Sequence, residues 1–335
     1  MMRDKLSMLR FSVLDLAVVT EGATISETFS KSLQLAKHVE RLGYTRYWLA
    51  EHHNMINVAS SATSVLIGFI AGGTSTIRVG SGGIMLPNHS PLIVAEQFGT
   101  LASLYPGRID LGLGRAPGTD QLTAYAIRGS RMNAVHDFPQ EIQQLQTYFS
   151  PQNSSSKVRA IPGEGAEIPI WILGSSTDSA YLAAQMGLPY AFASHFAPAQ
   201  FNAAINIYRK NFIASEHLDK PYVMACVNVI AADTDDEANF LATSLFQMFK
   251  GIATGNRRYL QPPVEKMEAW SEYEQALVNQ MLSLSFIGGR ETLKNNLLRF
   301  LIDTQIDEVM VSSNIFDPNA KLHSYKLLAE VIKTN

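Results

Sequence analysis

The sequence predicts an α/β protein of the (β/α)8 TIM-barrel class, a single domain spanning residues 1–335. Three observations carry this expectation. Short β-rich runs alternate with helical patterns from one end of the chain to the other. Most of those runs are apolar almost throughout, as strands of a parallel sheet covered on both faces must be. The 335 residues also accommodate a barrel of about 250 residues together with insertions. An open doubly wound sheet satisfies the same alternation and is the competing arrangement.

The units follow in order. A first strand at residues 9–17 leads to a helix at 25–42, in which Phe29, Leu33, Ala36 and Val39 recur every three to four residues. Thr24 offers its N-cap and Gly43 its stop, while Glu27, Lys31, Lys37 and Arg41 fall on the other face. The second strand, 44–51, ends in Glu51-His52-His53, and the third, 77–85, runs through a glycine cluster before a helix at 91–104. The fourth strand, 109–114, ends at Arg115, and a helix follows at 138–149. Residues 151–167 are rich in Ser, Pro and Gly and read as a loop. The fifth unit is a strand at 169–174 with a helix at 179–186; the sixth is a strand at 190–195, ending in His195, with a helix at 199–215. The seventh strand, 223–230, precedes a helix at 235–250. The alternation then breaks over 251–284, so residues 251–285 are read as an insertion before the last unit and a candidate lid. A helix at 292–303, a strand at 308–312 and a helix at 319–332 complete the chain.

Composition excludes several classes. Net charge is −3, with no long run of one sign, which argues against a nucleic-acid surface built from clustered Lys and Arg. Cys226 is the only cysteine, so no intramolecular disulfide and no cysteine-based zinc site is expected, and its apolar surroundings predict a buried, inert thiol. The longest apolar segment, residues 62–71, is too short for a membrane span, and the N-terminus does not read as a signal peptide. A soluble cytoplasmic protein is the expectation.

In a barrel, chemistry gathers at the carboxyl ends of the strands. The paired histidines His52 and His53 offer proton donors and acceptors near neutral pH. A hydrogen-bonded pair with a packing role is the alternative, and a metal site drawing on His89 and His195 has no diagnostic spacing; no metal is expected. Gly80, Gly82 and Gly83 in one strand imply either a bulge or the close approach of a flat ligand to the backbone. Gly174, Ser175, Ser176 and Ser179 lead from a strand into a helix. That arrangement binds phosphate through free N–H groups and hydroxyls, or simply caps the helix. Arg115 at the neighbouring strand end supplies positive charge. Together these features indicate a phosphorylated flat cofactor across strands three to five. No dinucleotide fingerprint opens the first unit and there is no P-loop.

The runs Tyr47–His53, Arg78–Pro87, Gly107–Arg115 and Ile170–Ser176, with Phe286–Gly289 before a helix, resemble the bacterial luciferase-like flavin monooxygenases over nearly the whole chain. Residues 115–121 resemble a bacterial subgroup of luciferase-like oxidoreductases. The resemblance implies a barrel that binds FMN at its carboxyl ends, takes reduced FMN from a separate flavin reductase, and uses O2 to oxygenate a small organic substrate. His52 matches the family's catalytic histidine. Gly82-Gly83 matches a non-proline cis peptide beside the flavin ring, and Arg115, Ser176 and Ser179 match phosphate-binding positions. A homodimer is implied as well. Gly114 stands where the light-emitting enzymes carry a reactive cysteine, so sustained light emission is not expected. A second phosphate-binding arginine is left open between Arg128 and Arg131. The same family includes deazaflavin-dependent oxidoreductases and non-catalytic flavin carriers, which are the alternatives.

Overall fold

The structure is a computed structural model that describes residues 9–129 and 137–333. Its eight barrel strands are β1 (Arg10–Asp15), β2 (Arg46–Leu49), β3 (Arg78–Met85), β4 (Ile109–Gly114), β5 (Ile170–Gly174), β6 (Tyr190–Phe192), β7 (Val223–Ala231) and β9 (Glu308–Ser312). All pairings are parallel: each of β1 to β6 pairs with the next strand, and β7–β9 and β9–β1 close the ring. The closed barrel is therefore correct and the open sheet is not. Each barrel strand falls within a run read from the sequence, except that β7 runs one residue past its run, to Ala231.

A ninth strand, β8 (Ser285–Gly288), pairs only with β7, along Asn228–Ala231. It takes over where β9 leaves β7 at Asn228, so it extends the sheet beyond the barrel wall. Four residues were too few to stand out as a strand. The helices that cover the barrel are α1 (Ile25–Arg41), α2 (Thr63–Gly72), α3 (Pro91–Leu104), α4 (Gln121–Arg128), α5 (Phe138–Phe149), α6 (Thr177–Gln185) and α7 (Phe201–Asn211). Thr24, the start read from the sequence, forms a reciprocal capping box with Glu27 at the head of α1. Two helices are additions to the sequence reading: α2 is apolar all round and lacks a helical stripe, and α4 is a short helix capped by Asp120.

The predicted insertion is structured. Helix α8 (Asp235–Ala253) runs three residues into it, and α9 (Glu272–Met281) starts from a Ser271/Glu274 capping box. Leu241, Leu245, Phe249, Val278 and Leu282 form a second core under the insertion, with Ile230 of β7 at its base. The intervening loop is pinned to the loop after β1, where Leu260 N–H donates to Val19 O at 2.9 Å and Glu21 N–H to Leu260 O at 2.9 Å. Helices α10 (Arg290–Thr304) and α11 (Pro318–Lys333) complete the ring.

Inside the barrel, near the amino ends of the strands, lies a buried ionic cluster. Arg46 donates to Glu308 from Nε at 2.8 Å and to Asp110 from Nη1 at 2.8 Å. Arg78 also binds Asp110 through Nε at 2.8 Å, Tyr222 Oη donates to Glu308 at 2.8 Å, and Ser12 Oγ donates to Glu308. Trp48 Nε1 reaches Asp110 at 3.1 Å, and the Trp171 ring lies 4.8 Å from the Arg46 guanidinium. These groups and the aromatic layer above them close the barrel beneath the site. Cys226 is buried in that interior, and desolvation pushes its thiol pKa up, as an inert thiol requires. Among the described residues no helix is long and apolar enough to cross a membrane.

Candidate functional site

The loop after β2 is organised by Glu51, which is fully buried. Its carboxylate accepts hydrogen bonds from Met85 N–H at 3.0 Å, Asn88 Nδ2 at 3.1 Å, His53 Nε2 at 2.9 Å and His89 Nε2 at 2.9 Å. Two of the four histidines weighed as chemical groups, His53 and His89, are thus bound to one carboxylate that sews the β2 and β3 loops together. Burial alone would raise the Glu51 pKa, but these hydrogen bonds and the His89 charge outweigh it and hold the carboxyl at about 2, against an ordinary 4.5. A depressed carboxyl contributes stability above its unfolded pKa and loses it as pH falls. We expect roughly 3 kcal/mol of folding stability to disappear between about pH 5 and pH 2. Urea unfolding across that range should show a shallower acid slope in Glu51→Gln; an unchanged slope would assign the acid sensitivity elsewhere.

With Glu51 turned inward, His52 is left to face the cavity. Its backbone N–H donates to Ser60 O at 3.0 Å, and its Nδ1 lies 3.2 Å from Gly118 O. A carbonyl only accepts, so Nδ1 carries the proton and Nε2 of the neutral ring is an acceptor. Gly118 adopts φ +67°, and a Cβ there would come within 2.8 Å of Glu51 O. Glycine at this turn therefore lets its carbonyl reach His52. Burial pushes the His52 pKa below the usual imidazole value and Arg257 adds to that, while the Gly118 hydrogen bond opposes it. His195 is driven further, to about 3, first by burial and then by His52. Both rings are neutral at pH 7.

At the carboxyl ends of the strands these groups line one cavity of about 350 Å³. The sequence-predicted residues His52, Gly82, Arg115, Gly174, Ser175, Ser176 and Ser179 all line it. Gly83 is not in the lining but is joined to Gly82 by a cis peptide bond. The β3–β4 register also shifts between Gly82 and Ile84, so the bulge weighed from the glycine cluster and the cis peptide implied by the resemblance occur together. Gly174 ends β5 where a Cβ would overlap Ser179 Oγ. Ser176 is the N-cap of α6 and makes no side-chain capping bond, which leaves its hydroxyl available. Ser179 Oγ donates to Ser176 O at 2.7 Å. Arg115 stands at the same end, 3.7 Å from Asp178 and half exposed.

Two alternatives weighed from the sequence, Arg128 at the phosphate end and a metal site, find no support in this geometry. Arg128 lies outside the cavity, its Nε donating to Asn88 at 2.9 Å, and Arg131 lies outside the described residues. His89, weighed as a metal ligand, is held by Glu51 instead, and no group of three or more His, Cys, Asp or Glu side chains among the described residues could hold a metal ion. The sequence reading also missed an apolar wall of the cavity. Met55, Met248, Phe249, Ile252 and Met281 line it, with Arg257 at its edge. Met248, Phe249 and Ile252 of α8 and Met281 of α9 follow a helical spacing that reads only as core, and Met55 lies in a loop; the insertion, pinned to the loop after β1, brings them into one wall.

The cavity lining contains arginines and histidines but, among the described residues, no carboxylate. A model of one protein family, described as luciferase-like monooxygenase, matches residues 8–307. The chain belongs to the luciferase-like monooxygenase family. It is an enzyme of that family, an oxidoreductase. A luciferase-like monooxygenase of Escherichia coli (strain K12) is 52% identical over 96% of each chain. An N-acetyl-S-alkylcysteine monooxygenase of Bacillus subtilis (strain 168) is 32% identical over 97% of this chain and 98% of the relative. The crystal structure of apo-MsnO8 superposes with a TM-score of 0.88, 34% identity, and coverage of 98% of this chain and 99% of that one. Below 25% identity the likeness shows the fold alone. There, neighbours of the same fold include the oxygenating constituent of a 3,6-diketocamphane monooxygenase in complex with FMN, at TM-score 0.75, 16% identity and 97% coverage of each chain. They also include an F420-dependent secondary alcohol dehydrogenase, at TM-score 0.70, 13% identity, and coverage of 97% of this chain and 99% of that one.

Proposed function

We propose that this enzyme is an FMN-dependent monooxygenase that takes reduced FMN from a separate reductase and oxygenates a small organic substrate with O2. The observation that carries the proposal is the composition of one cavity. It joins an anion-binding end (Arg115, Ser175, Ser176 and Ser179), where Asp178 pairs with Arg115 at 3.7 Å from outside the lining, to a glycine-surfaced wall at Gly82 and to a neutral imidazole at His52. A phosphate suits the first, since the N-terminus of α6 adds its dipole and free N–H groups. A flat ring suits the second, because side chains are absent there. Reduced FMN, when bound, supplies the two electrons with which one oxygen atom of O2 enters the substrate and the other leaves as water. The chain's own part is to bind, to orient and to exclude water. The apolar side chains of α8 and α9 keep the site dry, and His52 Nε2 accepts or returns a proton beside the reacting atoms.

Arg115→Ala should weaken FMN about tenfold or more in a fluorescence titration, the worth of a charge-assisted hydrogen bond. Riboflavin, which lacks the phosphate, should bind the variant and the parent alike. Equal losses for both ligands would remove Arg115 from the phosphate site. The reaction class is tested by mixing protein and reduced FMN with O2 and following the oxidised-flavin absorbance. A return much slower than that of free reduced FMN supports a monooxygenase. An immediate return, or a clear preference for F420 over FMN in binding, would favour the carrier or deazaflavin readings.

A further inference from the structure

Arg257 is the cation that the cofactor reading leaves unused. It comes from the insertion loop and lines the cavity beside Met55, three residues on from His52, whereas Arg115 follows β4. Its Nη1 sits 2.8 Å from Met55 Sδ, a weak acceptor. No ion pair within 4 Å holds it among the described residues. Behind it lies a second, polar cavity of about 250 Å³, and Asn57, Met248 and Arg257 are common to both. That antechamber is lined by four cations, Lys250, Arg257, Arg258 and Lys266, against one carboxylate, Glu268, which pairs with Lys250 at 3.7 Å. Two of its buried polar atoms, Asn57 Oδ1 and Trp270 Nε1, have no hydrogen-bond partner.

These features describe an entry path with a positive field and an apolar end. A field of one sign in a cleft concentrates ligands of the other sign. Past Arg257, the wall of Met55, Met248, Phe249, Ile252 and Met281 is apolar and conformationally adaptable. We propose that the substrate is a small organic carboxylate whose charged head is held by Arg257, with its apolar body on the methionine-rich wall beside His52. Arg257 is then the residue that selects substrate by charge, and the antechamber is the route by which anions reach it. The proposal names the substrate class of the monooxygenase reading and rests on it.

The test uses three matched pairs of probes: octanoate, 4-phenylbutanoate and N-acetyl-S-benzylcysteine, each beside its neutral methyl ester. Binding is measured by isothermal titration calorimetry with the FMN-loaded protein and again without FMN. The parent should prefer the carboxylate in at least one pair by about tenfold, the size expected for a charge-assisted hydrogen bond. Arg257→Met should abolish that preference while the ester binds as before, and Arg257→Lys should retain part of it. FMN affinity should stay within about twofold of the parent in both variants, a shift too small to signal a lost hydrogen bond. No carboxylate preference in any pair, or one that survives in Arg257→Met, overturns the proposal. So does a matching loss of FMN affinity, which would make Arg257 part of the cofactor site. Failure of the parent to bind FMN would instead strike the cofactor reading, and the titrations without FMN would still report the charge preference.

Discussion

His52→Ala should retain FMN affinity while product formation falls by about 10²–10⁴-fold, the range supplied by a positioned acid–base group. The ring makes one protein hydrogen bond, from Nδ1 to Gly118 O, so truncation leaves no buried carboxylate or cation unpaired. The anion-binding end at Arg115 and Ser176 lies on other strands and should not sense the change. Burial holds the His52 pKa below the ordinary imidazole value, so the parent should keep activity to lower pH than a free imidazole would allow. It should lose activity as that neutral acceptor becomes protonated, and the residual activity of His52→Ala should lack this acid limb. Full turnover in the variant would exclude His52 from the chemistry. Loss of FMN affinity together with turnover would make it a packing residue of the cofactor site.

What the sequence disclosed about this site has a physical pattern. Residues at strand ends were legible, because a barrel's topology fixes where strand ends gather and polar or glycine-rich ends there need a reason. His52, Gly82, Arg115 and Ser176 were found in this way. The division of labour within Glu51-His52-His53 was not, since it depends on Glu51 facing inward to Met85, Asn88 and His89, residues more than thirty positions away. Arg257, Met248 and Met281 were illegible for a related reason. Their place in the wall depends on how the insertion folds back, through Leu260 on Val19, and no local pattern encodes that contact. Strand β8 escaped because it is short and half its residues are glycine or serine.

The barrel strands themselves predict a second large effect, far from the chemistry. Arg46, Asp110 and Glu308 occupy the first or second positions of β2, β4 and β9, and each is almost wholly buried. Guanidinium groups face both buried carboxylates: Arg46 and Arg78 pair with Asp110, and Arg46 pairs with Glu308. Removing one partner of a buried ionic cluster typically costs about 3–5 kcal/mol, because the remaining charge keeps its desolvation penalty without compensation. Arg46→Ala should therefore lower Tm by roughly 6–20 °C, taking about 2–4 °C per kcal/mol for a large domain. Adding Glu308→Gln should recover part of that loss, since the orphaned charge would be gone, and a Tm unchanged by Arg46→Ala would refute the cluster's role. The effect should also reach the site. Arg46 lies under Trp171 and, through Asp110, fixes Trp48; the Trp48 side chain lies just beneath Gly82, where a Cβ would meet it at 3.1 Å. If the ring of the cofactor rests on that glycine, Arg46→Ala should weaken FMN even at temperatures where the variant is folded. Arg115→Ala, acting at the phosphate, should weaken FMN without moving Tm.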